Sequence, residues 1–147
     1  MTNTLTHSHK IVYNTTMKLA SIDIGLKRIG IAICLDGKIV LPQNAILRQN
    51  RNQAANDVKK ILLDWKIEKL IVGLPKDGTS SEEMQRRIKH FVSLLRLNDT
   101  IEIAYQDEQN SSFEAKEKSS GVFRHKKDGR LDSIAASIIL ERYLGLL

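Results

Sequence analysis

Asp23, the Asp107-Glu108 pair and Asp132 are the residues of this sequence best placed to do chemistry. Asp23 stands between Ile22 and Ile24 near the carboxyl end of an apolar, β-branched run. A carboxylate there is costly unless it is paired or holds a cation. Asp107 and Glu108 follow directly on a second such run, Ile101 to Tyr105, and Asp132 opens the last apolar helical stretch, where the helix dipole favours an ionised carboxylate. Ligands of an α/β sheet collect beyond the carboxyl ends of its parallel strands, so the spacing predicts that these acids converge on one sheet edge. Carboxylates with few histidines and no cysteine cluster form a hard, oxygen-rich site that suits Mg2+ or Mn2+ and not zinc. Between carboxylates and substrate phosphates, such ions serve phosphodiester cleavage. Taken singly, each acid also has an ordinary structural use: Asp23 as a turn former before Gly25, Asp132 as a helix N-cap, Asp107-Glu108 as a solvated strand end. Their joint placement is the signal.

The elements that must position these residues are legible from Met17 onward. Lys18–Ile24 and Ile29–Cys34 read as strands separated by Gly25-Leu26-Lys27-Arg28, a hairpin length. Asp36-Gly37 marks another turn before the short run Ile39-Val40-Leu41, which Pro42 ends. Ala54, Val58, Ile61, Leu62 and Trp65 recur at helical spacing, with Arg51, Lys59 and Lys60 left for the opposite face. Leu70-Ile71-Val72-Gly73 reads as a strand covered on both sides. Ser80 and Glu83 form a capping-box pattern ahead of Met84, Ile88, Phe91, Val92 and Leu95. After the Ile101 to Tyr105 strand, residues 111–118 suit a short helix, 119–130 a basic loop, and a final helix begins near Asp132 with Ile134, Ala135, Ile138, Ile139 and Leu144 buried. This order predicts an α/β fold: a mixed five-stranded sheet, three antiparallel strands then parallel ones, with helices on both faces.

Composition bounds the partners. The 147 residues, 41% of them hydrophobic, fit one domain, residues 17–147, preceded by a polar extension, residues 1–16. His7 and His9 have metal-like spacing, yet no carboxylate or cysteine lies near them, so they read as part of a solvated tail. One cysteine excludes an internal disulfide and fits a reduced, cytoplasmic protein. No apolar run approaches the length of a membrane span. Twenty-three Lys+Arg against 17 Asp+Glu give a net charge of +6, which suits a polyanionic partner. Arg124, Lys126, Lys127 and Arg130 crowd the loop before Asp132, and Lys27 and Arg28 adjoin Asp23; all six are expected to grip nucleic-acid phosphates.

At these residues the sequence resembles a family. SIDIGLKRIGIAI from Ser21, LIVGLP from Leu70, YQDE from Tyr105 and KKDGRLDSIAASIILERYL from Lys126, in that order, are similar to the YqgF (RuvX-like) family. The resemblance implies a ribonuclease H-like fold and a metal-dependent nuclease, linked in that family to Holliday junction resolution and to maturation of the 5′ end of 16S ribosomal RNA. It places the family's catalytic and metal-binding carboxylates on Asp23, Glu108 and Asp132. One departure stands out: the family usually follows its acidic motif with arginine, an apolar residue and Thr or Ser, whereas Gln109, Asn110, Ser111 and Ser112 follow Glu108 here. Glutamine offers hydrogen bonds but no fixed cation.

The expectation is therefore a Mg2+- or Mn2+-dependent nuclease acting on precursor 16S rRNA. The alternatives are a Holliday junction resolvase acting on branched DNA, or a non-catalytic nucleic-acid-binding factor that retained the fold. The first alternative requires a homodimer; RNA end processing works equally from a monomer. The Asp-x-Gly hairpin also opens actin-like kinases, but those need two domains, and no phosphate-binding G-x-x-x-x-G-K-[ST] loop occurs here.

Overall fold

In the computed structural model, residues 17–76, 81–97, 99–108 and 130–147 are described, with Arg130, Leu131 and Asp132 described in their backbone alone. The alternation of the first apolar run sets the architecture. In β1 (Leu19–Ile24), Ala20, Ile22 and Ile24 turn to one side of the sheet and Leu19, Ser21 and Asp23 to the other. Both sides are covered, which is why β1 and its neighbours are apolar almost throughout. β2 (Arg28–Cys34) pairs antiparallel with β1, and β5 (Lys69–Leu74) pairs parallel with it, so β1 is central. β6 (Glu102–Asp107) adds in parallel to β5.

The expected third strand differs from its prediction. The Asp36 carboxylate accepts hydrogen bonds from the backbone N–H groups of Lys38 and Ile39, at 2.9 and 3.0 Å, which holds that segment in a turn. Only β3 (Leu41–Pro42) then pairs with β2, and proline, with no N–H to give, keeps it short. The chain returns to β2 through β4 (Ile46–Leu47), so among the described residues the sheet has six strands where five were expected, in the order β3-β2-β1-β5-β6 with β4 also on β2.

On one face lie α1 (Arg51–Asp64) and α2 (Ser81–Leu95), burying Val58, Leu62, Ile88, Phe91 and Leu95 against Ile22, Ile31, Leu70 and Val72. α1 begins with a capping box in which Asn50 and Gln53 satisfy each other's backbone. It ends at Trp65, which is 41% exposed and not on the buried face, because Lys66 takes a left-handed φ of 56° and stops the helix there. On the other face, one helix among the described residues, α3 (Arg130–Leu144), starts two residues earlier than expected and packs Ala136, Ile139 and Leu140 on Leu19, Ala32 and Ile71. Small residues on both sides bring this helix close to the sheet. No helix among the described residues is long and apolar enough to cross a membrane. The extension 1–16, Ser80, the 111–118 helix and the 119–129 portion of the basic loop lie outside the described residues.

Candidate active site

The carboxyl edge of β1, β5 and β6 gathers the acids, and strand alternation decides which of them face one another. Ala104 packs on the α3 side of the sheet and Ile103 on the α1-α2 side. Continuing that alternation past the end of β6 turns Glu108 toward α3 and Asp107 away from it. The Glu108 N–H donates to the Leu74 carbonyl at 3.0 Å, extending the ladder by one residue and fixing where this carboxyl stands. Asp23 is on the same α3 side, and it hydrogen-bonds to the Glu108 carboxyl. Two of the three predicted acids, 85 residues apart in sequence, are therefore in contact.

Glu108 is held well above the usual carboxylate range, at about 8; burial is the main cause, followed by its hydrogen bond to Asp23 and the negative charges of Asp23 and Asp107. Glu108 therefore keeps a proton at a pH where an exposed glutamate has lost it.

Helix α3 is locked to this face by two buried serines. Ser21 Oγ donates to the Ala136 carbonyl at 2.6 Å, and Ser133 Oγ accepts from the Ile31 N–H at 3.3 Å. These contacts orient the helix against β1: from Ala136 back to Ser133 corresponds to going forward from Ser21 to the Ile22–Ile31 row. One helical turn rises about 5.4 Å and two strand residues about 6.6 Å. The backbone of Asp132, one turn before Ala136, is thus level with Asp23, on the same side of the sheet. Its side chain is outside the described residues. Among those residues no three His, Cys, Asp or Glu form a metal-capable set, which leaves Asp132 as the predicted third member.

The site also depends on residues that the sequence reading passed over or read only as turn formers. Gly73, the next-to-last residue of β5, forms its floor: a Cβ at that position would stand 2.6 Å from Ile139 Cδ1, 2.9 Å from Glu108 Oε2 and 3.2 Å from Glu108 Cβ. The missing side chain is the space that Glu108 occupies. Ser21 and Ser133 carry the helix docking; the signal available in the sequence was Ser21 sharing the strand phase of Asp23. Gly25 makes the hairpin turn tight, its N–H bonded to the Arg28 carbonyl at 2.9 Å where a Cβ would be only 2.7 Å from that oxygen.

Of the predicted cations, Lys27 is exposed at the hairpin tip, and Arg28 shares the strand phase of Ala32 and Cys34, hence the face of Asp23. Arg124, Lys126 and Lys127 lie outside the described residues, as does the side chain of Arg130. The donor set fits a hard divalent cation: it is all oxygen, it is partly buried, and it suffers the mutual repulsion that such a cation removes.

Known proteins similar to this chain carry nuclease and resolvase names. The RuvX family model, described as Holliday junction resolvase, matches residues 17–145. A protein of Sulfurovum sp. (strain NBC37-1), named "Putative pre-16S rRNA nuclease", is 73% identical over 130 residues, covering 88% of this chain and 100% of that protein. One of the same name from Sulfurimonas denitrificans is 49% identical over 128 residues, covering 87% and 97%. Among solved structures, T. thermophilus RuvC in complex with a Holliday junction substrate aligns with a TM-score of 0.58 at 11% identity, over 88% of this chain and 96% of that one. The fowlpox virus Holliday junction resolvase aligns with a TM-score of 0.57 at 15% identity, over 89% and 100%. At such identities these structures establish the ribonuclease H-like fold of the resolvases.

Proposed function

The chain belongs to the RuvX family, a family of phosphodiester-cleaving nucleases, and we propose that it is a divalent-metal-dependent nuclease that processes the 5′ end of precursor 16S rRNA. The observation that carries the reading is the hydrogen-bonded carboxyl pair of Asp23 and Glu108 at the carboxyl edge of the sheet, with the first turn of α3 level with it. Asp23, Glu108 and Asp132 would hold Mg2+ or Mn2+, which supplies charge to the scissile phosphate and acidifies an attacking water. Asp23 sits on the central strand of the sheet, flanked by β2 and β5. Glu108 retains a proton near neutral pH in the absence of a cation, and losing it converts a hydrogen-bonded pair into a doubly charged one. Lys27, Arg28, Arg124, Lys126, Lys127 and Arg130 neutralise phosphates on either side of the cut.

The substrate assignment draws on the relatives that carry the pre-16S rRNA nuclease name. A second reading, cleavage of branched DNA, is favoured by the description of the family. Symmetric junction cleavage needs two sites presented by a dimer, whereas trimming an RNA end needs one. The test is incubation of the wild type and Asp23→Asn with a precursor 16S rRNA fragment and with a four-way DNA junction, in Mg2+ and in Mn2+. Wild type is expected to cut the RNA and Asp23→Asn to leave it intact. Cleavage by Asp23→Asn at saturating Mg2+ overturns the site, and cleavage of the junction alone replaces the first substrate by the second.

A further inference from the structure

We propose that a basic cleft on the α1-α2 side of the hairpin tip is a second phosphodiester-backbone grip, which holds the nucleic acid where it leaves the carboxylate site. The proposal rests on the nucleic-acid reading above for the identity of the polymer, and its geometry is independent of the cations predicted from the sequence. The cleft, about 580 Å³, is lined by Leu26, Arg48, Arg51, Arg86, Arg87 and His90. Arg48 Nη1 donates to the Gly25 carbonyl at 2.7 Å, two residues from Asp23 and so within about 7 Å of chain. The β1-β2 turn is therefore a thin wall with carboxylates on one side and arginines on the other.

Charge is concentrated here beyond what the fold needs. Four arginines converge, and among the described residues one carboxylate pairs with them: Glu83, at 2.9 Å from Arg87, with both side chains 59% exposed. Arg48 is half-buried, its guanidinium 5.3 Å from the centre of the Phe91 ring, and burial together with the charge of Arg51 makes its protonated form harder to keep. Such crowding costs stability in the free protein and is repaid by a polyanion. Arginine suits the task because its planar fork meets phosphate oxygens in pairs. Leu26, 73% exposed at the tip, gives the cleft an apolar rim next to the cations, where a sugar or base face can rest. Sequence alone did not reveal the cluster because its cations come from three elements: the β4-α1 connection, the start of α1, and one face of α2.

The test is binding of a fluorescein-labelled RNA duplex carrying the precursor 5′ sequence, and of a labelled four-way junction, by anisotropy without divalent metal across a salt series. The double variant Arg51→Gln with Arg86→Gln removes two exposed cations and leaves the Arg48 anchor in place. The control, Lys38→Gln with Lys60→Gln, removes the same charge from exposed lysines outside the cleft lining. Each lost phosphate contact reduces the slope of log affinity against log salt by about 0.9, so the double variant is expected to lose about 2 units of slope and at least about tenfold in affinity on one or both probes, with the control at wild-type values. Equal slopes and affinities for the cleft variant and the control overturn the proposal. Circular dichroism melting accompanies each protein, and if the double variant melts early the single variants are read instead, each expected to lose about 1 unit of slope. A wild type that cuts neither substrate while the cleft variant loses slope defeats the nuclease reading and leaves the cleft standing; a wild type that cuts, with slopes unchanged, defeats the cleft alone.

Discussion

The two faces that meet at the hairpin tip are built in opposite ways. On the α3 side the carboxyl pair is embedded in the packing: Glu108 rests against a glycine, and the helix behind it is pinned by two buried serine hydrogen bonds. On the α1-α2 side Arg51, Arg86, Arg87 and His90 are exposed, and their cleft opens directly to solvent. Chemistry at a phosphorus requires atoms held to fractions of an ångström, and packing against the core supplies that precision. Holding a polymer backbone requires charge and reach, which mobile surface side chains supply at little cost to the fold. Substitutions on the first face should therefore change catalysis, and stability with it wherever they disturb the packing, and substitutions on the second should change binding and its salt dependence.

The largest expected effect lies on the carboxylate face. Asp23→Asn keeps the shape and the hydrogen-bonding capacity of the side chain, so melting temperature should stay close to wild type while cleavage falls by at least about a thousandfold. Gly73→Ala separates packing from chemistry. Its methyl meets both Ile139 Cδ1 and the Glu108 carboxyl, so the protein should lose about 1 to 3 kcal/mol and the displaced Glu108 should lower activity as well. Adding Ile139→Val removes the hydrocarbon clash only. Thermal melts should then recover in part while activity stays low; full recovery of activity in the double variant would show that Glu108 does not need the space Gly73 leaves.

The pH dependence of stability is next in size. Glu108 binds its proton more tightly in the folded protein, near 8, than in the unfolded chain, near 4.5. Below pH 4.5 both states are protonated and nothing is lost. As pH rises from 4.5 to 8 the unfolded chain releases the proton and the folded protein keeps it, so the stability of the metal-free protein falls across that window and levels off above it. Glu108→Gln should flatten most of this slope in denaturant melts run at a series of pH values. Mg2+ should raise the melting temperature more at pH 8 than at pH 5, because only the ionised pair binds it strongly. A slope that persists in Glu108→Gln would locate the titration elsewhere.

Much of this arrangement was legible in the sequence, because its main signals are periodic. The strand phase of Ile22-Asp23-Ile24, the short buried run at Leu70 and the helical spacing of Ile88, Phe91, Val92 and Leu95 each appear as read. The contact between Asp23 and Glu108 followed from topology, since parallel strands on either side of β5 bring their carboxyl ends to one edge. Other features depend on single hydrogen bonds and close approaches that leave no period. Asp36 capturing two N–H groups shortened the third strand, Lys66 turning left-handed put Trp65 at the surface, and Gly73 read as one more residue of a buried strand because only the folded structure shows what would fill its empty side. The arginine cleft escaped for the same reason: its residues are neighbours in space and scattered along the chain.

Arg48 joins the arginine cleft to the hairpin tip that carries Asp23 toward the other face, and its substitution gives the smallest and most discriminating effect. Its guanidinium packs on Phe91 while bonding to the Gly25 carbonyl, so it ties the hairpin tip to α2. Methionine can fill the same volume and keep a favourable sulfur contact with the ring, but it cannot reach the carbonyl with a donor. A hydrogen bond from a charged donor is worth about 1.5 to 3 kcal/mol, and relief of the repulsion from Arg51 offsets part of its loss, so Arg48→Met should cost about 1 kcal/mol in a denaturant melt. Arg48→Lys separates the contributions, because it keeps the charge and loses the planar stack. If the tip must be held for Asp23 to work, both variants should lower the cleavage rate of fully bound substrate; if the tip only carries charge, Arg48→Lys should bind and cut as the wild type does. The first outcome would make the arginine a positioning residue for the carboxylates, and the second would leave the two faces coupled only through the nucleic acid that spans them.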